Sequence, residues 1–246
     1  MRVGLFIPCY VDQFFPSAGM ATVELLENHG CDVAFPEAQT CCGQPMANAG
    51  CSGDAAAAAR HFVDTFSGYD YVVSPSGSCV AMVKHQYPKI VGNAASSVVS
   101  KTYEICEFLL DVVKVTQLQA SCSKLVAIQM ACHGTRELRL ATGSERPALP
   151  TFSKPRQLLE MVDGMQLVEL QRPDECCGFG GLFSIDEVDV SCAMGDDKLS
   201  DFQQARAELV VSTDMSCLMH LGGLSSRQDR GLKFAHIAEV LNGDWA

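Results

Sequence analysis

The chain has 246 residues, of which 48% are apolar and 19% are charged, so its composition is that of a compact globular protein and excludes a disordered or fibrous one. Its 18 basic and 29 acidic residues leave a net charge of −11, and no cluster of Lys and Arg is long enough to bind a nucleic acid backbone. No apolar run approaches the ~20 residues that span a bilayer, and no secretory leader opens the sequence. We therefore expect a soluble cytoplasmic protein with neither a nucleic acid partner nor an integral membrane segment.

The sequence contains an internal duplication. The tripeptide Cys-Cys-Gly at 41–43 returns at 176–178, and the segment 72–79 aligns without a gap on 210–217, with five of eight residues identical. These matches occur in the same order along the chain, which is the pattern of a repeated structural unit.

The limits of the two copies follow from further matches. The segment 101–109 aligns on 233–241, so each copy extends well beyond its Cys-Cys-Gly motif. We expect two cysteine-rich halves, one over 1–117 and one over 118–246, with the polar stretch 116–123 as their junction.

Short β-branched runs alternate with amphipathic segments in both halves, which predicts strands alternating with helices. Strand–helix alternation is typical of a parallel sheet with right-handed crossovers, and we expect a fold of two duplicated parallel-sheet α/β half-domains related by an approximate twofold axis. The predicted strands are 2–8, 32–35, 69–73, 124–130, 166–170 and 208–211, and the predicted helices are 18–28, 54–66, 155–162 and 196–204, with one more beginning near Cys79 and one near Cys217.

Cysteines recur in one pattern at the predicted carboxyl ends of the strands, which meet at one edge of a parallel sheet. Each half has a first Cys, then the Cys-Cys-Gly motif, and then a last Cys. The two gaps between them are 31 and 36 residues long in the first half and 43 and 39 residues long in the second. Four thiolates suit an iron–sulfur cluster or a structural zinc ion, because both prefer soft sulfur donors. The predicted ligands are Cys9, Cys41, Cys42 and Cys79 in the first half and Cys132, Cys176, Cys177 and Cys217 in the second.

Other interpretations of the cysteines exist. The repeated residues are alternatively buried free thiols, or the adjacent pairs form vicinal disulfides, which are strained and out of place in a reducing compartment. The five cysteines without a repeat are interpreted as ordinary core or loop residues, of which only Cys51 follows a motif closely enough to contact a site: Cys31, Cys51, Cys106, Cys122 and Cys192.

Basic side chains follow two of the predicted ligands. His133 follows Cys132 directly, and Arg136 and Arg139 come next on one predicted helical face. Together they form a cationic group for a carboxylate substrate or an anionic cluster, or else the arginines are solvated surface residues. His220, one turn after Cys217, either hydrogen-bonds a cluster sulfide or is an ordinary half-buried histidine. No dinucleotide-binding fingerprint or phosphate-binding loop indicates a flavin or nicotinamide site.

The two Cys-Cys-Gly units resemble the cysteine-rich CCG domain shared by the B subunit of heterodisulfide reductase, the iron–sulfur subunit of glycolate oxidase and the lactate-utilisation protein A family. Over the whole chain, the segments 76–79, 131–138 and 176–181 are most similar to the last of these. The resemblance implies an electron-transfer subunit with iron–sulfur clusters of 4Fe–4S type, one per half, held by the eight cysteines. It also implies partners, including a second iron–sulfur protein, with which the chain oxidises L-lactate to pyruvate, and no activity alone.

The sequence departs from the heterodisulfide reductase pattern at Ser76 and Asp214, where that protein has the first Cys of a Cys-x-x-Cys motif. Each half keeps four thiols, so the non-cubane cluster of that enzyme and its heterodisulfide chemistry are not expected. Ser76 and Asp214 either donate oxygen to iron or cap the next helix. The rival functions are a scaffold subunit with structural zinc in one or both halves and a thiol/disulfide reductase subunit.

A partner surface is expected where clusters lie close to the protein edge, since electron exchange needs short distances. The loops 42–51 and 177–183 place the apolar side chains Met46, Phe179 and Phe183 there. These residues either dock a partner or cover the clusters from water. We expect the two sites to face a shared crevice.

Overall fold

The computed structural model describes every residue except Asp244 and Ala246. The chain divides into two compact units, Met1–Lys114 and Val115–Ala246, and each contains a four-stranded parallel sheet with helices. The parallel α/β class predicted from the strand–helix alternation is confirmed. Within the described residues, no helix has the length and apolar character needed to cross a bilayer.

The first unit has the strand order β2-β1-β3-β4, with every neighbouring pair parallel. Its strands are β1 (Arg2–Leu5), β2 (Asp32–Ala34), β3 (Tyr71–Ser74) and β4 (Thr102–Glu104). Its helices are α1 (Cys9–Phe14), α2 (Pro16–Asn28), α3 (Gln44–Asn48), α4 (Ser52–Phe66), α5 (Gly77–Ala81), α6 (Tyr87–Val91), α7 (Ser96–Val99) and α8 (Ile105–Glu107), with π-helical turns at Met82–Gln86 and Phe108–Val113 and a 3-10 turn at Gly92–Ala95.

The second unit repeats this order as β6-β5-β7-β8, again with parallel neighbours. Its strands are β5 (Leu125–Gln129), β6 (Gln166–Leu167), β7 (Leu209–Ser212) and β8 (Lys233–His236). Its helices are α9 (Lys154–Leu159), α10 (Phe183–Asp186), α11 (Val188–Gln204), α12 (Met215–Arg227) and α13 (Ile237–Leu241), with a π-helical turn at His133–Glu137.

Aromatic side chains hold helix α4 against the first sheet. Phe6, just after β1, packs edge-on against Phe62 with ring centroids 4.9 Å apart, and Phe62 also contacts Phe66 and Tyr87. All four rings are buried, and burying an aromatic side chain contributes about 1.5–3 kcal/mol. Small alanines on the same face of α4 let the helix approach the sheet closely, which makes this cluster the floor beneath the first set of cysteines.

The structure corrects several predicted limits. The first strand ends at Leu5 rather than Pro8, because Pro8 lacks an N–H group and instead precedes α1. The helix predicted at 196–204 begins at Val188. The remaining predicted elements shift by one to three residues. The sequence does not predict the fourth strand of each sheet or several short helices, among them α1, α3, α8, α10 and α13.

Candidate functional site

The eight repeated cysteines lie at the carboxyl ends of strands. In the first unit, Cys9 begins α1 after β1, Cys41 and Cys42 follow β2, and Cys79 lies in the first turn of α5 after β3. The chain leaves β1 toward β2 on one side, while β3 lies on its other side, so loops diverge here and open a crevice where α/β folds bind their ligands.

In the first unit the four sulfurs meet as a group, here called the first quartet. The Sγ atoms of Cys42 and Cys79 are 3.4 Å apart. Cys41 contacts both Cys9 and Cys42 through its sulfur, and the Cys9 and Cys79 sulfurs are close enough to interact electrostatically. Three separate loops thus bring four thiols to one place.

The second unit builds the same arrangement from Cys132, Cys176, Cys177 and Cys217, here called the second quartet. Cys176 contacts Cys132 and Cys177, and Cys177 also contacts Cys217. The order of contacts along the quartet is therefore the same as in the first unit, as the repeated sequence pattern predicts.

A glycine after each cysteine pair makes the turn beside the sulfurs. Gly43 and Gly178 have φ angles of 85° and 91°, in the left-handed region that other residues rarely adopt. A Cβ atom at Gly178 would lie 2.5 Å from the Ser191 carbonyl oxygen, so no other residue fits there. Each turn also directs a backbone N–H to sulfur, from Gly43 to Cys41 over 3.4 Å and from Gly178 to Cys176 over 3.5 Å.

Each quartet combines two buried and two more accessible sulfurs. Cys42, Cys79, Cys177 and Cys217 are buried, Cys9 is exposed, and Cys41, Cys132 and Cys176 are half-buried. The pKa of Cys41 is lowered because Cys42 and Cys9 stabilise its thiolate, and that of Cys176 is lowered in the same way by Cys132 and Cys177. Their neighbours Cys42 and Cys177 have raised pKa values, first because the adjacent sulfur interacts with them and then because they are buried.

The two positions where a fifth cysteine is missing are helix N-cap residues, and of the two only the Ser76 side chain accepts a capping hydrogen bond. The Ser76 hydroxyl is the N-cap of α5 and accepts a hydrogen bond from the Cys79 backbone N–H at 3.3 Å. Asp214 stands at the N-cap of α12 and accepts a hydrogen bond from the Ser216 hydroxyl at 2.8 Å. The capping interpretation of Ser76 is confirmed.

The surroundings of the two quartets differ. In the first, the buried Tyr87 hydroxyl donates to the Cys42 carbonyl at 2.9 Å, and the pKa of Tyr87 is raised by burial. In the second, Asp214 adds to the raised pKa of Cys132, and Arg136 helps to lower the pKa of Cys176. The second quartet therefore has charged neighbours where the first has an aromatic one.

The basic residues near the second quartet have partners of their own. Arg136 forms ion pairs with Glu145 and Asp174, and Arg139 pairs with Glu145 at 2.9 Å. Arg139 lies beyond the π-helical turn with a φ of 57°, so the two arginines do not share one helical face. His133 contacts the Cys132 sulfur at 3.7 Å.

His220 is a half-buried residue with a backbone partner. Its Nε2–H donates to the Ser191 carbonyl oxygen at 3.3 Å, and its ring contacts that of Phe179. Burial lowers the pKa of His220, which favours the neutral ring. The interpretation of His220 as an ordinary half-buried histidine accounts for these contacts.

The cysteines without a repeat differ in exposure. Cys31, Cys106 and Cys122 are buried in their units, Cys51 is exposed just before α4, and Cys192 is half-buried on α11. All thirteen cysteines are free thiols, so neither adjacent pair forms a vicinal disulfide.

The donor chemistry of each quartet fits a soft metal or cluster, whereas the spacing of the sulfurs is tight. Among the described residues, no three or more His, Cys, Asp or Glu side chains already stand in an arrangement that holds a metal ion. A tetrahedral zinc ion spaces its sulfur ligands by about 3.8 Å, and a cluster that offers each sulfur a different iron needs a wider spacing. To hold either group, the first quartet would therefore have to widen the 3.4 Å between Cys42 and Cys79.

Comparison with known proteins matches both units to one family. The family model of the cysteine-rich CCG domain matches residues 3–84 and 126–222. A protein of Halalkalibacterium halodurans named Lactate utilization protein A is 42% identical over 248 residues, covering 98% of this chain and 97% of that protein. The chain belongs to the lactate utilization protein A family. The relatives of that name in Geobacillus kaustophilus and Bacillus subtilis are 42% and 40% identical, each covering 98% of this chain and 99% of their own length.

Membership of the lactate utilization protein A family agrees with the resemblance inferred from the motifs. The matched residues include all four thiols of the first quartet and all four of the second. The quartets are thus parts of the repeated CCG domain, whereas the side chains that neighbour them differ between the two copies of that domain.

Proposed function

We propose that this chain is an iron–sulfur electron-transfer subunit of a system that oxidises L-lactate to pyruvate, with one cluster of 4Fe–4S type in each half. The observation that carries the proposal is the presence of two quartets made of thiols, each formed by the same three loops. The name Lactate utilization protein A of relatives that match nearly the full chain supports lactate as the substrate of the system.

The cluster ligands in this proposal are the eight quartet cysteines. A cluster supplies a centre that accepts and returns one electron at a time. The chain contributes by burying two sulfurs of each quartet, directing the Gly43 and Gly178 N–H groups at sulfur, and setting the local charge. Hydrogen bonds to sulfur and burial are the means by which a protein adjusts the potential of such a centre.

Oxidation of a hydroxy acid removes two electrons, whereas each proposed centre takes one. The sequence carries no flavin or nicotinamide fingerprint that could take both. We therefore propose that the chain is inactive alone and passes electrons to or from other subunits, including a second iron–sulfur protein.

An exposed apolar strip beside the second quartet is the proposed contact with that iron–sulfur protein. Leu182, Ile185, Val188 and Val190 are between 37% and 68% exposed and follow the loop of Cys177. Exposed apolar side chains at such density mark interaction surfaces. In contrast, Met46 packs against the core of the first unit and Phe179 and Phe183 are half-buried, so these three offer less exposed apolar surface to a partner.

Structural zinc is the second candidate, and the sulfur spacing favours it. The 3.4 Å between Cys42 and Cys79 is nearer to the ~3.8 Å of a tetrahedral zinc site than to the wider spacing of a cluster. One zinc ion per quartet would make the chain a scaffold for the other subunits.

Anaerobic purification followed by analysis of iron, acid-labile sulfide and zinc, together with electron paramagnetic resonance, separates these candidates. We expect ~8 iron atoms per chain, equimolar sulfide, and bleaching on reduction. Zinc at one or two atoms per chain without sulfide would instead establish the scaffold function. The iron-loaded chain alone should not oxidise L-lactate, and turnover by the isolated chain would refute the proposed division of labour.

Variants of the exposed strip test the partner. Co-purification with the second iron–sulfur protein should fail for Ile185→Asp and Val188→Asp, because a charge in a buried apolar contact is costly. Met20→Asp, which changes an exposed apolar residue of α2, is the matched control and should leave the complex intact. Undiminished complex formation by both strip variants would place the contact elsewhere.

A further inference from the structure

A pocket of 540 Å³ opens in the second unit beside the second quartet. Its inner wall is formed by Ile128 and Met130 at the end of β5 and by Val168 and Leu170 after β6. It therefore lies at the carboxyl end of the sheet, where α/β folds bind small molecules. The volume is within the range of about 300–1,000 Å³ that such binding sites have.

The outer wall of the pocket is a segment that the first unit lacks. The sixteen residues 138–153 separate the π-helical turn from α9, whereas Phe15 alone separates α1 from α2. This segment contributes Thr142, Ser144, Arg146 and Phe152 to the pocket. The pocket is consequently a property of one copy of the repeat and not of the shared domain.

Backbone and side-chain hydrogen bonds order this segment into a hairpin-like loop. Ala141 pairs with Ser153 as an antiparallel bridge, and the Thr142 N–H donates to the Phe152 carbonyl at 2.9 Å. The Ser144 N–H and hydroxyl both donate to the Asp174 carboxylate, at 2.7 and 2.9 Å. The outer wall is therefore fixed to the loop that leads to Cys176, so the pocket is preformed.

The charges that line the pocket leave one cation available. Asp174 accepts the two hydrogen bonds from Ser144, and Glu169 pairs with Arg156 at 2.6 Å. The remaining lining cation is Arg146, which is exposed and has no ion pair within the described part of the chain. A guanidinium group with free donors binds carboxylate or phosphate oxygens in a two-pronged geometry.

We propose that this pocket binds an organic anion with an apolar body, whose charged group is held by Arg146 and whose body contacts Ile128, Met130 and Leu170. A three-carbon hydroxy acid is much too small to fill 540 Å³ and has no apolar body for this wall, so the pocket is not a lactate site. Since Asp174 and Met130 each lie two residues before a quartet cysteine, the bound anion lies beside the second quartet.

Calorimetric titration of the full chain with sodium octanoate, 1-octanol and L-lactate tests the site. We expect one octanoate per chain, weaker binding of octanol, and no measurable binding of lactate. Arg146→Met should weaken octanoate binding about tenfold and leave octanol binding unchanged, because it removes a charge-assisted contact but not the apolar wall. Arg60→Met, an exposed arginine of the first unit, is the matched control and should bind octanoate like the unaltered chain.

A variant that fills the pocket tests the location. Thr151→Trp adds a large side chain to the lining and should abolish binding of both octanoate and octanol. Val168→Phe narrows the pocket from the opposite wall and replaces Thr151→Trp if that protein fails to fold. The inference is refuted if the unaltered chain binds no octanoate, if filling the pocket leaves binding intact, or if Arg146→Met binds octanoate as tightly as Arg60→Met does.

Discussion

The two units share one sheet order, one arrangement of thiols and one glycine turn, and they differ in the side chains around the sulfurs. The first quartet rests on an aromatic cluster, with Tyr87 bonded to the Cys42 backbone. The second quartet has Arg136 and Asp214 as neighbours and a pocket at its side. Duplication thus preserved the arrangement of the four thiols and left each copy free to acquire its own electrostatic environment.

Loss of a proposed cluster ligand should have the largest effect on iron content, and it should affect only the half that contains the substituted cysteine. We expect Cys42→Ser to remove the iron of the first half and Cys177→Ser that of the second, leaving about half of the iron in each variant, because a missing thiolate weakens a soft-metal site severely. The measurements are the number of iron atoms per chain and the electron paramagnetic resonance signal of the remaining centre.

The matched controls for the ligand variants are Cys31→Ser and Cys122→Ser, which alter buried thiols outside the quartets. These two proteins should keep the full iron content. Equal loss from all four variants would mean that the ligands are misassigned, and loss of all iron from either quartet variant would mean that the two sites are not independent.

The caps of the last helices offer a pH-dependent contrast between the units. Glu104 and its counterpart His236 are buried N-caps at the ends of β4 and β8. Burial raises the pKa of Glu104 to about 8, and its Oε1 atom has no hydrogen-bond partner, so the folded protein retains a proton there. Since an unfolded Glu loses its proton near pH ~4.3, the stability from this group is full below that pH and falls as the pH rises toward 8, by a few kcal/mol.

Glu104→Gln should remove this pH dependence, because the amide stays neutral at both pH values. The amide also keeps an oxygen that can accept the two backbone hydrogen bonds now made to Oε2. Urea unfolding at pH 5 and pH 8 should show that the variant gains stability over the unaltered chain as the pH rises. Glu27→Gln, on the exposed face of α2, is the control. A constant difference between the Glu104 variant and the unaltered chain at both pH values would contradict this account.

Tyr87 tests how far the first quartet depends on its aromatic floor. In the register that aligns Cys79 with Cys217, Ser225 stands at the equivalent position of the second unit. Tyr87→Phe leaves the buried Cys42 carbonyl without its hydroxyl donor and should cost about 1–3 kcal/mol, measured as free energy of unfolding. The iron content of the second half should be unaffected. An equal loss of iron from both halves would show that the effect of the substitution is not local.

Arg136 should have the smallest effect, on potential rather than stability. Its positive charge favours the more negative, reduced state of a centre at the second quartet, and its half-exposed position allows solvent to screen it. We expect Arg136→Gln to lower the midpoint potential of the second centre by tens of millivolts. Redox titration of the control variant Arg139→Gln should show no shift in midpoint potential. An unchanged potential in both variants would show that Arg136 does not influence a centre at the second quartet.

The amino-acid sequence is sufficient to predict the repeated unit, the parallel α/β class and the eight thiols that meet in two quartets. These follow from local patterns: β-branched runs mark buried strands, and parallel strands bring their carboxyl-end loops to one edge. The sequence does not predict the fourth strands, although segments 101–109 and 233–241 align, because Thr102–Glu104 and Lys233–His236 are short and mix polar with apolar residues. Their pairing with β3 and β7 is decided by neighbours distant in sequence.

The surroundings of the quartets depend on tertiary contacts that the sequence does not reveal. The longer gap between Cys132 and Cys176 was visible as a number, but a count of residues does not show that the additional residues fold back as a wall around Ile128 and Met130. The partners of Arg136 and the cap made by Ser76 depend likewise on side chains that meet across loops. Strand and ligand patterns repeat locally in a sequence, whereas pockets and charge pairs form between segments that no local pattern connects.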